Sequence, residues 1–115
     1  MTALIRDGVT LIPQLIPALR FHERLFGLMG RRPLGSGKAM YLNPCSSIHT
    51  WFMRFPLDLI FLDEEGRVVR IVWHVKPWRM VWGGPRAASV VELEAGWLAP
   101  DAVRLGDRLT SSQPE

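Results

Sequence analysis

Apolar residues in this chain recur mostly with a period of two, in short runs separated by turn residues, and that is the pattern of strands rather than helices. The longest such run is Leu57 to Leu62, apolar apart from Asp58. Its length suits a strand covered on both faces. Alternation puts Leu57, Leu59 and Phe61 on one side and Asp58, Ile60 and Leu62 on the other. Downstream, Asp63-Glu-Glu-Gly66 reads as a hairpin turn, and Arg67 to Lys76 as the returning strand, with Val69, Ile71, Trp73 and Val75 inward. Ala39–Leu42, Ile48–Met53, Ala87–Glu94 and Asp107–Thr110 read as further strands, and Val9 to Ile16 as edge strands around Pro13. One stretch has helical spacing: Ala18, Phe21, Leu25 and Leu28, with Pro17 in its first turn and Gly30 at its end. A short helical turn is expected near Pro100, ending at Gly106.

Composition narrows the class. The chain has 115 residues, enough for one core, so 1–115 is expected to be a single domain. At 48% hydrophobic and 22% charged it is globular rather than disordered. One cysteine excludes an internal disulfide, and no Cys/His cluster has zinc-site spacing, so neither metal nor cofactor is expected. A reducing cytoplasm fits. Arg6, Asp7, Pro13 and Pro17 break the apolar N-terminal stretch before membrane-spanning length, so neither a membrane span nor a targeting segment is expected. The basic loop Arg31–Lys38 has two glycines but not the Lys-Ser/Thr of a phosphate-binding loop.

Candidate chemistry gathers in two places. The first is Cys45 to Asp63. Asp58 shares its face with aliphatic side chains, so its carboxylate must be paired, hydrogen-bonded or protonated. Either it is a structural acid holding backbone amides or Arg54, or it works as an acid/base with His49 beside it. Cys45 and His49 look like a thiol–imidazole dyad. Four residues of strand nevertheless span about 13 Å, too far for a hydrogen bond between them. Cys45 is therefore expected to be an ordinary thiol.

The second place is Lys76-Pro-Trp-Arg-Met-Val-Trp-Gly-Gly-Pro-Arg86, which reads as a loop. Trp78, Arg79 and Trp82 suit stacking, cation–π contact and anion pairing. Trp78, between a proline and an arginine, is expected to be exposed, and Trp82 to be buried as a cap on the core. The net charge of +3 is modest and no nucleic-acid fingerprint is present, which disfavours a nucleic-acid partner.

Several short motifs fall in one order: Gly27-Leu-Met29, Cys45-Ser-Ser-Ile-His-Thr50, Met53-Arg-Phe-Pro-Leu-Asp58, Phe61-Leu-Asp63, Val90-Val-Glu-Leu93 with Gly96, and Gly106-Asp107. Together, from about Ala18 to Leu109, they resemble the uncharacterised bacterial and archaeal family known as domain of unknown function 192. The resemblance implies a mainly β (α+β) fold, a small antiparallel β-barrel or jelly-roll-like sandwich with one short N-terminal helix. It implies no activity, cofactor or catalytic residue. The residues themselves favour a binding module for a small anionic or sugar-like ligand or a protein partner, through Arg54, Trp78, Arg79 and Trp82. The alternative is a hydrolase-type enzyme using Asp58 with His49.

Overall fold

The computed structural model of the protein describes residues 2–17, 35–51 and 53–112. The helix expected from Ala18 to Met29 lies outside the described residues.

Ten short strands and one 3-10 turn account for the regular structure described. They are β1 (Ala3–Arg6), β2 (Val9–Ile12), β3 (Gln14–Pro17), β4 (Lys38–Leu42), β5 (Ser47–His49), β6 (Leu57–Leu62), β7 (Val68–Val75), β8 (Met80–Trp82), β9 (Ser89–Glu94) and β10 (Leu109–Ser112), with the turn at Pro100–Ala102. The mainly β reading holds. The pairings form three sheets: β10-β1-β2, the central β3-β4-β9-β6-β7, and the ribbon β5-β8.

One expectation needs correction and one holds only coarsely. Among the described residues no closed barrel is found: the central sheet has β3 and β7 as its outer strands, with Leu15 of β3 bonded to the Thr2 carbonyl and Arg67, before β7, bridged to Arg108. Nor is the sheet wholly antiparallel: β3 and β4 run parallel, Gln14 opposite Lys38 and Ile16 opposite Met40. A parallel pair requires a long crossover rather than a tight turn, and the segment 18–37 supplies its length. Local alternation predicts strands but says nothing of their direction.

β6 sits between β7 and β9, and all six of its residues are buried. Its alternation divides the interior as the sequence suggests. Leu57, Leu59 and Phe61 pack with Met40, Leu42 and Val90 on one face, while Ile60 and Leu62 pack with Ala39, Val91 and Leu93 on the other. The turn from β6 to β7 is built by Asp63, whose Oδ1 accepts from the amides of Glu65 (2.8 Å) and Arg67 (2.9 Å). Gly66 there has φ 81°, and a Cβ on it would lie 2.8 Å from the Leu109 carbonyl oxygen, so a bare backbone is needed on both counts. Arg6 ties β1 to the turn before β10, through an ion pair with Asp107 (2.7 Å) and a hydrogen bond to the Ala102 carbonyl.

Two local readings also change. The strand expected over Ile48–Met53 ends at His49, and the chain turns at Thr50, whose carbonyl accepts from the Met53 amide. The expected loop from Lys76 to Arg86 contains β8, paired antiparallel with β5 as Ser47 opposite Trp82, Ile48 opposite Val81 and His49 opposite Met80.

Candidate functional site

Asp58 is buried in the middle of the central sheet, and both its oxygens meet backbone amides. Oδ1 accepts from His74 N at 2.7 Å and Oδ2 from Gly96 N at 3.3 Å. Among the described residues these amides, rather than Arg54, hold the carboxylate. The register shows why they are available. Between Leu57 and Leu59 the β6–β7 ladder slips, Leu57 lying opposite Val75 but Leu59 opposite Val72. β7 therefore carries an extra residue, and His74 in this bulge adopts φ 57°. The Asp58 carboxylate replaces the carbonyl that the bulge removes from the ladder. We expect Asp58→Asn to lower stability by about 1–3 kcal/mol, because the amide nitrogen turns toward a backbone donor and the charge-assisted bond is lost. Urea midpoints of the two proteins measure this, and an unchanged or higher midpoint contradicts it.

The bulge also redirects the chain into the ribbon. Past it, Thr50, wholly buried, gathers the segment: its hydroxyl donates to the Lys76 carbonyl (2.7 Å) and accepts from Arg79 N (2.8 Å). Its own amide donates to the Arg79 carbonyl, and its carbonyl accepts from Trp78 N. Trp78 has φ 65°, a left-handed conformation that bulky residues rarely hold.

Alternation in β5 and β8 then decides which side chains face out. Ile48 and Val81 are buried against Phe61, Met53 and Val90. Ser47, His49, Met80 and Trp82, at the neighbouring positions, lie on the opposite face. The Trp51 ring packs on His49 with centroids 5.0 Å apart. The result is an aromatic and thioether surface in which Trp51 is 42%, Trp78 57%, Met80 68% and Trp82 57% exposed. The expectation of a buried Trp82 is therefore corrected. In a paired strand its parity matches exposed Met80, and Val81 is the residue that caps the core.

Basic groups flank this surface. The Arg70 guanidinium, exposed on β7, donates to the Trp82 carbonyl, and Arg79 reaches the carbonyls of Pro77 (3.4 Å) and Trp78 (3.5 Å). Arg54 is exposed at the turn after Thr50, and Lys76 is exposed beside the bulge. Of the residues expected at a site, His49 and Trp82 lie on the ribbon, Trp78 and Arg79 in the turn that leads into β8, and Arg54 in the turn after Thr50. Asp58 lies beneath the bulge that supports it. Trp51, Met80, Arg70 and Thr50 were not anticipated. Met80, Val81 and Trp82 are all apolar, so the sequence carries no alternation to show which of them face out; the pairing with β5 decides it.

The chain matches the family model described as Uncharacterized ACR, domain of unknown function 192, over residues 6–111. It belongs to that family. It is 34% identical over 94 residues to a UPF0127 protein of Pyrococcus furiosus, covering 77% of this chain and 78% of the relative. A UPF0127 protein of Pyrococcus horikoshii is 32% identical over 94 residues, covering 77% and 79%. Among solved structures, a protein of unknown function from Novosphingobium aromaticivorans superposes with a TM-score of 0.77 at 21% identity, over 95% of this chain and 82% of that one, a likeness of fold alone.

A groove of about 1100 Å³ runs past Tyr41, Asn43, Cys45 and the Asp63–Gly66 turn. Cys45 there donates to the Ser47 carbonyl at 3.1 Å. Among the described residues no group of three or more His, Cys, Asp or Glu side chains gathers where it could hold a metal ion, and no helix is long and apolar enough to cross a membrane.

Proposed function

We propose that this protein is a non-catalytic binding module whose recognition surface is the outer face of the β5–β8 ribbon, and that its ligand is anionic and presents flat apolar faces. The observation that carries this reading is the exposure of Met80 and Trp82 on the outer face of the ribbon, with Trp51 packed on His49 there and Trp78 exposed in the turn that leads into β8. Large exposed apolar side chains in a contiguous patch mark interaction sites. Thr50 fixes this one before any ligand arrives, which reduces the ordering cost of binding. The single cysteine fits a reducing, cytoplasmic setting, and we read the three sheets as one domain.

The alternative, a hydrolase-type enzyme with Asp58 as acid/base and His49 as its partner, has less support. Asp58 spends both oxygens on backbone amides, and His49 Nδ1 finds no hydrogen-bond partner among the described residues. Asp58 and His49 are therefore not joined, among the described residues, as a base and its orienting partner must be.

Since both indoles are largely exposed, Trp78→Ala and Trp82→Ala should each change stability by less than about 1 kcal/mol. Thermal melts with a panel of polyanions test the binding reading. An anionic ligand should raise the melting temperature of the wild type and not that of the Trp78→Ala/Trp82→Ala double variant. A panel in which no member discriminates the two proteins counts against it.

A further inference from the structure

We infer that the ligand of the ribbon face is single-stranded nucleic acid, bound by stacking of its bases on the indoles and pairing of its phosphates with the flanking arginines. This rests on the binding reading above and specifies its ligand.

The residue inventory discriminates between anionic ligands. Sugar chains are recognised by aromatic platforms together with planar hydrogen-bonding side chains, since their hydroxyls must be matched one by one when water is displaced. The two segments that build this face, 46–57 and 67–91, contain no Asp, Glu, Asn or Gln. Stacking on bases needs none of these, because every base offers a π-face, and it tolerates any sequence. The face has what that mode requires: Trp51, Trp78 and Trp82, and a ring pair, His49 on Trp51, already packed at 5.0 Å.

Spacing is compatible as well. Met80 and Trp82 are two residues apart on one strand face, about 7 Å. That is twice the rise of about 3.4 Å between stacked bases, so bases and side chains can interleave. Charge is complementary locally even though the net charge is small. Between Gly66 and Glu92 lie Arg67, Arg70, Lys76, Arg79 and Arg86 without one acidic residue. The Arg70 guanidinium bonds to the Trp82 carbonyl of the ribbon, and that of Arg79 to the Pro77 and Trp78 carbonyls just before β8, so both charges are held close to the backbone, beside the rings rather than beyond them. A bilayer surface would be met by rings projecting past the cations. A strand laid along the ribbon meets both at once.

The test uses the whole protein and a fluorescein-labelled oligothymidylate of about 12 nucleotides, within the span of one such surface, read by anisotropy and by quenching of tryptophan emission. Binding with quenching is expected, weaker for a duplex, whose bases are already stacked. The salt dependence should have a logarithmic slope of about −2 for three phosphate contacts through Arg70, Lys76 and Arg79. Trp78→Ala and Trp82→Ala should each weaken it by about tenfold or more, and Arg79→Ala should make the slope shallower. Far-UV circular dichroism confirms that each variant is folded. Oligonucleotide binding that survives loss of both indoles overturns the inference. So does a preference for heparin or phosphatidylserine vesicles that depends on the indoles, although the binding reading would then stand. If no probe binds in an indole-dependent way, both fail together.

Discussion

Glu92→Gln should stabilise the protein at pH 8 by about 3 kcal/mol and hardly at all at pH 4. Glu92 lies on β9, opposite Met40 on β4 and Leu59 on β6, and shares the side of Val90 within an apolar layer. Burial there pushes its carboxyl from an ordinary 4.5 up to about 7. A raised pKa means that the folded state binds the proton more tightly than the unfolded chain does. Stability is therefore fully present below about pH 4.5 and is lost as pH rises through about 7. That difference between the folded and unfolded chain corresponds to about 3 kcal/mol, and glutamine, which does not ionise, escapes that loss. Urea denaturation of both proteins between pH 4 and pH 8 reads the effect. Parallel stability curves would show that Glu92 stays charged at no cost.

Glu92 also shows where sequence reading stops. As the polar member of an alternating strand, it looks like a cross-strand partner for Arg70 or His74 on β7, or for Lys76 just after it. That would hold if β9 were next to β7, but β6 intervenes and β9 has β4 on its other side. Both faces of a central strand are covered, and alternation then ceases to mark an outside. The same limit hides the parallel pairing of β3 with β4, because neighbours distant in sequence are chosen by the whole sheet. What local chemistry controls was legible: the two faces of β6, the Asp63–Gly66 turn, the turn at Pro100, and amides as possible partners of Asp58. At the site, residue types were legible and their placement only partly so. Trp82 looked like a cap because β8 is three residues long and set among prolines and glycines that suggest a loop. Once β8 pairs with β5, Val81 takes the inward position and Trp82 must face out.

The dependence of that ribbon on the core beneath it gives the other large effect, at Gly83. Its amide donates to the Ser46 carbonyl at 2.8 Å, holding the end of β8 against the start of β5. Gly83 is buried, and a Cβ there would overlap Phe61 Cδ1 outright and lie 2.6 Å from Ala87 Cβ. Phe61 cannot retreat, since it is wholly buried in the central strand. Gly83→Ala should therefore cost about 3 kcal/mol, the upper end of overpacking penalties, and shift the ribbon outward, altering emission from Trp78 and Trp82. Gly84 is the control. It has φ 104°, but a Cβ on it meets nothing within 4 Å, so Gly84→Ala should cost only about 1 kcal/mol of backbone strain. Chemical denaturation of the two variants separates these terms. Equal losses at 83 and 84 would mean that backbone conformation, not contact with Phe61, sets the seat of the ribbon.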